Sequence, residues 1–193
     1  MNDIFTRKRE QTVVGTDIEG IETVFQFLDD KGFIDRCGAA EPCAPGDNGD
    51  NGDNGDIRES RVLVSGGRGI KDAFGKLRPL ARALNASVAA SRGLVDSGIA
   101  PRRIQVGQSG KKVGCELYIA VGISGSYQHI VGLKNVKYLI AVNKNKNAPI
   151  CSLADIVIEG DAADFAEKLA ERCARDQSID HSPERCEESN GDH

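Results

Sequence analysis

The chain has 193 residues, 39% of them hydrophobic, with a net charge of −4 and a pI near 5.5. That length holds one good domain with residues to spare, and the acidic balance argues against nucleic-acid binding, which calls for a basic face. No run approaches the roughly 18 consecutive apolar residues of a membrane span, and the opening MNDIFTRKREQ lacks the apolar region of a secretory signal, so a cytoplasmic protein is expected.

Residues 1–12 are polar and charged, and are expected to be mobile. Ile18, Ile21, Val24, Phe25 and Leu28 then follow a helical spacing, with Thr16 or Asp17 as N-cap and Gly32 as the stop. A helix this short is marginal alone, so it must dock on the main domain or on a partner. Gly46 to Asp56 reads GDNGDNGDNGD. It has no apolar residue to bury, and its every-third-position Asp does not match the alternate-position carboxylates of a calcium loop. The chain therefore divides into an N-terminal segment with a short helix (1–37), a flexible Gly/Asp/Asn linker (38–57), a folded domain (58–175) and a disordered tail (176–193).

Within the domain, strand-like and helix-like runs alternate. Arg61 to Val64 reads as a strand. Ile70 to Leu84 has helical spacing, with a break expected near Pro79. Ser87 to Ala90 is strand-like, Arg92 to Ser97 a short helix, and Arg103 to Val106 a strand. Leu117 to Val121, with no charge, reads as a buried parallel strand, followed by a helix from about Gln128. Tyr138 to Val142 and Asp155 to Ile158 are the last strands, and Ala162 to Cys173 the last helix. This alternation predicts an α/β fold with a doubly wound, mostly parallel, Rossmann-like sheet. Ligands of such sheets sit outside the carboxyl ends of the strands.

Each of those ends supplies glycine, hydroxyl, amide or charge. In chain order they are Ser65-Gly66-Gly67-Arg68-Gly69, Ser91-Arg92, Gly107-Gln108-Ser109-Gly110-Lys111, Ser124-Gly125-Ser126-Tyr127-Gln128-His129, Asn143-Lys144 and Gly160-Asp161. One loop of this kind is ordinary; six on one edge suggest one long, hydrogen-bonding ligand. Arg68 and Arg92 suit phosphate, and Asp161 suits a ribose hydroxyl, a combination that points to a dinucleotide. The turn ending in His129 opens a helix, whose unpaired N–H groups can hold a phosphate or an electron-rich ring oxygen. The first loop, S-G-G-R-G-I, departs from G-x-G-x-x-G, which disfavours an NAD(P) or AMP site there.

Here a family resemblance becomes specific. VLVSGGRGIK, ASRGLVDSG, IQVGQSGK, ELYIAVGISGSYQHIVG, AVNKNKNAPI and ADIVIEGD occur in the order, and near the spacing, of the C-terminal FAD-binding domain of the electron transfer flavoprotein alpha subunit. Residues 61–173 resemble that domain; the family's N-terminal domain has no counterpart among residues 1–57. The resemblance implies FAD stretched over the strand ends. It places Arg68 at the diphosphate, matches Ser91 and Arg92 to the family's Ser-Arg pair with Arg92 beside the isoalloxazine, and puts Val106, Gly107, Gln108 and Ser109 at the flavin edge. Ser109 stands where many family members have Thr. It implies contacts of Ser124, Gly125, Ser126, Tyr127, Gln128 and His129 with pyrophosphate, ribityl chain and pyrimidine edge, with His129 near O2, although Tyr127 also suits plain packing. Asn143, Asp161 and Ala162 fall on the adenosine side. A helix start and a His donor at the ring would stabilise charge on reduced flavin, the helix dipole contributing about 1–2 kcal/mol in a partly buried site.

The function this implies is an electron carrier that takes electrons from a flavin dehydrogenase, such as an acyl-CoA dehydrogenase of fatty acid β-oxidation, and works beside a beta-type subunit in a heterodimer. A carrier has no substrate chemistry of its own, and no nucleophile or acid/base pair is evident. The alternative is a truncated or split-gene module that keeps the fold for a non-redox interaction. The six cysteines contain no C-x-x-C; reduced thiols are the expectation, with disulfides the lesser reading. Cys115 and Cys151 are expected to be inert core residues, and Lys111, Lys112, Lys134 and Lys144 to be solvated.

Overall fold

A computed structural model describes residues 11–34 and 56–179. Seven strands form one sheet: β1 (Thr12–Gly15), β2 (Val62–Gly66), β3 (Ser87–Ser91), β4 (Gln105–Val106), β5 (Leu117–Val121), β6 (Tyr138–Asn143) and β7 (Ile156–Glu159). Their spatial order is β1-β7-β6-β5-β2-β3-β4, and every pairing is parallel. From β2 the chain winds outward through β3 to β4, then returns to the other side of β2 and winds outward through β5, β6 and β7. The order therefore reverses between β2 and β5, which makes the crevice at their carboxyl ends the switch point of the sheet.

Each central strand buries both faces. Val62 and Val64 of β2 and Leu117, Ile119 and Val121 of β5 enter one core, while Leu63, Tyr118 and Ala120 enter the other. Double burial is why these strands read as continuous apolar runs rather than alternating ones. Helices α1 (Ile18–Asp30), α2 (Leu77–Ala83) and α5 (Ala162–Ile179) contribute to the first core; α3 (Arg92–Asp96) and α4 (Tyr127–Ile130) contribute to the second.

The amino-terminal segment belongs to this same body. Asp17 caps α1 by accepting from Gly20 N at 2.8 Å. At the other end Gly32 takes φ +69°, and the N–H groups of Gly32 and Phe33 return to Asp29 O and Leu28 O. This is a Schellman stop, for which glycine carries no Cβ penalty. Val24, Phe25 and Leu28 are fully or almost fully buried, each contributing about 1.5–3 kcal/mol. Arg172 of α5 lies 3.7 Å from the Phe25 ring centroid and its Nε is 2.6 Å from Glu22. The docked helix thus packs on the main domain.

Several expectations need correction. Thr12, placed in the mobile start, opens β1, which pairs with β7 from Thr12↔Ile156 to Gly15↔Glu159. β1 is a short edge strand with Val13 half exposed, so its apolar pattern is too weak to announce it. Asp56 and Ile57, assigned to the linker, are ordered: Ile57 is buried, and Asp56 pairs with Arg58 and with Lys111 Nζ at 2.9 Å. Lys111 is therefore paired and only partly exposed, whereas Lys144 is solvated as expected and also pairs with Asp161 at 2.8 Å. The break expected near Pro79 falls earlier. Arg68–Lys76 is 3-10 with non-helical Ile70 and Ala73, and Pro79 sits in the first turn of α2, where its missing N–H costs little. α5 continues to Ile179, past the expected start of the tail. Residues 46–55 of the repeat, on which the calcium question turns, the rest of the linker and the remaining termini lie outside the described residues.

Candidate functional site at the strand ends

The loops after β2 and β5 are joined backbone to backbone at the switch point. Gly67 N donates to Val121 O and Gly69 N to Gly122 O, each at 2.9 Å. A Cβ on Gly69 would stand 2.8 Å from Gly122 Cα. Gly122 itself takes φ +65° and Gly125 takes φ +79°. After these turns the backbone N–H groups of Ser124, Gly125, Ser126, Tyr127 and Gln128 take no partner among the described residues. Ser124, Ser126, Tyr127 and Gln128 are exposed. Such a run of N–H groups presents partial positive charge to an anion or a carbonyl-type oxygen.

The neighbouring ends converge on it. Arg68 is exposed and its stem lies over Gly93, so that the β2 loop and the Ser91-Arg92 pair after β3 meet. Arg92 Nε is 3.1 Å from Asp96 on its own helix, with both side chains more than 60% exposed. An exposed pair of this kind is weak, and the guanidinium keeps further donors free. After β4, Gly107 has φ +141° and Gln108 N donates to Gln128 O at 2.6 Å. This ties the Val106–Ser109 loop to α4. Buried Gln105 donates from Nε2 to Ser109 Oγ at 3.0 Å, which orients the hydroxyl from beneath.

On the β6 and β7 side the structure gives the named side chains partners inside the protein. Asn143 donates to Ile123 O at 2.9 Å and accepts from Asn145 N at 3.0 Å. Asp161 Oδ1 accepts from Ala163 N and Asp164 N, at 2.8 and 3.1 Å, as the N-cap of α5. Its other oxygen pairs with Lys144. Hydrogen bonds from Lys144 and the α5 backbone hold its carboxyl down at about 2. Ala162 is buried in the core. Both polar side chains thus already have partners within the protein.

His129 differs most from expectation, because its ring turns inward. It is 5% exposed, and Nε2 lies 3.0 Å from the hydroxyl of fully buried Tyr118. Nδ1 is buried without a partner, as is Ser65 Oγ on the same face of the sheet. Burial lowers the imidazole to about 4, so it is neutral near pH 7. Sequence reading did not single out Tyr118. Its signal was a phenol inside an otherwise aliphatic strand, since a buried Tyr needs a partner for its hydroxyl.

The donor set fits a dinucleotide carrying a polar ring system: unpaired N–H groups at the switch point, two exposed arginines, a positioned hydroxyl and an orphaned buried nitrogen. Among the described residues no cluster of His, Cys, Asp and Glu could hold a metal ion, and no helix is long and apolar enough to cross a membrane.

Residues 56–134 match the family described as "Electron transfer flavoprotein FAD-binding domain". The chain is similar to the electron transfer flavoprotein subunit alpha, mitochondrial, of Dictyostelium discoideum, 49% identical over 117 residues, which cover 60% of this chain and 33% of that protein. It is likewise similar to the electron transfer flavoprotein subunit alpha of Paracoccus denitrificans, 50% identical over 107 residues, 54% of this chain and 35% of that protein. The chain thus spans about a third of the length of these relatives.

Proposed function

We propose that the electron transfer flavoprotein alpha-type domain carried by this chain holds one FAD across its strand ends and serves as an electron carrier between a flavin dehydrogenase and a downstream acceptor. The observation that carries this reading is the run of unpartnered N–H groups from Ser124 to Gln128 at the β2/β5 switch point. Bound FAD supplies the one- and two-electron chemistry. The chain supplies position and charge. Ser124, Gly125, Ser126 and Arg68 hold the diphosphate; Val106, Gly107, Gln108 and Ser109 border the flavin edge; Arg92, next to Ser91, brings positive charge to the ring. His129, its ring turned inward against Tyr118, backs the pyrimidine side, while Tyr127 and Gln128 flank it. Asn143, Asp161 and Ala162 form the adenosine end as a rigid wall, through the bonds Asn143 and Asp161 make within the protein.

An acyl-CoA dehydrogenase-like donor, and with it fatty acid β-oxidation, belongs to the same proposal. So does a beta-type partner subunit in a heterodimer. A cytoplasmic location is also proposed; cell fractionation separates it from the organelle named for the Dictyostelium relative.

The test is direct. Purified protein supplemented with FAD and passed through a desalting column should retain flavin absorbance at one equivalent per chain and bleach on reduction. A colourless protein that takes up no FAD overturns the carrier and leaves the non-redox interaction module.

A further inference from the structure

We propose that Gly132 is a positioning residue: the close approach it permits locks the Val106–Ser109 loop onto α4, so that this loop and the switch-point turn form one unit before any ligand arrives. The effect of that lock on bound FAD rests on the function proposed above; the lock itself does not.

The two parts leave different strands. Val106–Ser109 follows β4 at one edge of the sheet, and Ser124–His129 follows β5 near its centre. β2 and β3 stand between those strands, so the sheet itself does not join the two loops. The segments that follow them do. Val113 N donates to Gly132 O at 2.8 Å, and Lys134 N donates to Val113 O at 2.7 Å, a short parallel bridge. Gln108 N donates to Gln128 O at 2.6 Å. Between these bonds Gly132 lies against Gly107. A Cβ at position 132 would stand 2.6 Å from both the N and the Cα of Gly107, far inside van der Waals contact. Both are backbone atoms, so the loop itself would have to move.

Gly132 is not required by its own conformation. Gly107, Gly122 and Gly125 have φ +141°, +65° and +79°, values that favour glycine in their own right. Gly132 has no positive φ; its backbone admits alanine, and the neighbouring loop excludes it. The lock matters because the parts are weak alone. α4 has four residues, too few for a helix stable in water. Gln108 and Gln128 are exposed, and a solvent-exposed backbone bond opens readily. The buried glycine pair keeps the two backbones within reach of that bond. A loop already ordered loses less free energy to ordering when a ligand binds.

The experiment is amide hydrogen exchange, read by NMR on the full chain without FAD. In the wild type the amides of Gln108, Val113 and Lys134 should be protected together; free exchange at Gln108 overturns the proposal. In Gly132→Ala protection at Gln108 should fall by about tenfold, while Leu63 in β2 and Ile119 in β5 keep theirs. Unchanged protection at Gln108, or an equal fall at all three positions, overturns it. If Gly132→Ala does not fold, the wild-type exchange decides alone. In protein saturated with FAD, Gly132→Ala should also lower the midpoint potential, because Ser109 withdraws from the ring; a loss of stability alone would not move it. An unmoved potential overturns the role of the lock toward FAD. Failure of the wild type to take up FAD overturns the flavin reading and leaves the exchange result standing.

Discussion

Gly69 and Gly122 meet backbone to backbone at the centre of the sheet, with the Gly69 N–H donating to the Gly122 carbonyl at 2.9 Å. This contact closes the β2 and β5 loops onto each other at the one place where the strand order reverses. Neither position admits a side chain without moving the other loop. A Cβ on Gly122 would stand 2.8 Å from Gly69 Cα, and Gly122 has φ +65°.

Gly122→Ala should therefore cost about 1–3 kcal/mol of stability through strain alone. It should also weaken FAD binding by more than the Gly75→Ala control, whose added Cβ meets open space. Urea denaturation and flavin fluorescence titration of the two variants check this. Equal stabilities would show that the loop contact is not under strain.

The amino-terminal helix is held to α5 by Arg172. Arg172→Ala removes both the stacking on Phe25 and the pair with Glu22, and should cost about 1–2 kcal/mol. Glu22→Gln removes only the half-exposed ion pair and should cost less than about 1 kcal/mol. Hydrogen exchange across Ile18–Asp30 should rise in the first variant and change little in the second.

Acid should destabilise the domain in two steps. His129 is held near 4, below the ordinary 6.5, because burial disfavours its charge. Its neutral form supports the fold fully above about pH 6.5, and that support is lost as pH falls toward 4. Asp161 is held near 2, below the ordinary 3.8, by Lys144 and the α5 backbone. Its contribution is complete above pH 4 and fades as pH falls through 2. His129→Gln should flatten the stability profile between pH 6.5 and 4, where the wild type loses up to about 1.4 kcal/mol per pH unit. Asp161→Ala, which removes the cap, should cost about 1 kcal/mol at neutral pH. Chemical denaturation at a series of pH values reads both.

Arg92 shares its charge with Asp96. In the FAD-loaded protein, Arg92→Ala should make the flavin harder to reduce, lowering its midpoint potential by roughly 20–40 mV, equivalent to about 0.5–1 kcal/mol on a one-electron step. Asp96→Asn should shift the potential the other way by freeing the guanidinium. Spectroelectrochemistry distinguishes the two; an unmoved potential in both variants removes Arg92 from the neighbourhood of the ring.

The three cysteines among the described residues are free and buried. Burial pushes Cys115 and Cys173 up to about 12 and raises Cys151, so little thiolate exists at neutral pH. Alkylation followed by mass spectrometry should leave all three unmodified in the native protein and modify all three in denaturant. This agrees with the inert reading of Cys115 and Cys151 reached from their positions in the sequence.

The sequence by itself determined the α/β alternation, the parallel sheet and the polar strand ends. Those features are local: a doubly buried strand such as Leu117–Val121 must be a continuous apolar run, and the chain must turn after it with glycine and polar residues. The motifs along Val62 to Asp161 likewise lie within single loops, so the family resemblance was legible too. Only the tertiary structure decided what depends on lateral order and register. It placed Thr12–Gly15 beside β7, where a short edge strand takes its hydrogen bonds from a partner some 140 residues later. It committed Asn143 and Asp161 to bonds inside the protein, because Ile123, Lys144 and the first turn of α5 arrive beside them. It also set Tyr118 under His129. Composition records that a tyrosine and a histidine are present; only strand alternation and the return of α4 over the sheet determine that one faces the other, since a one-residue change of register would put that phenol in the opposite core.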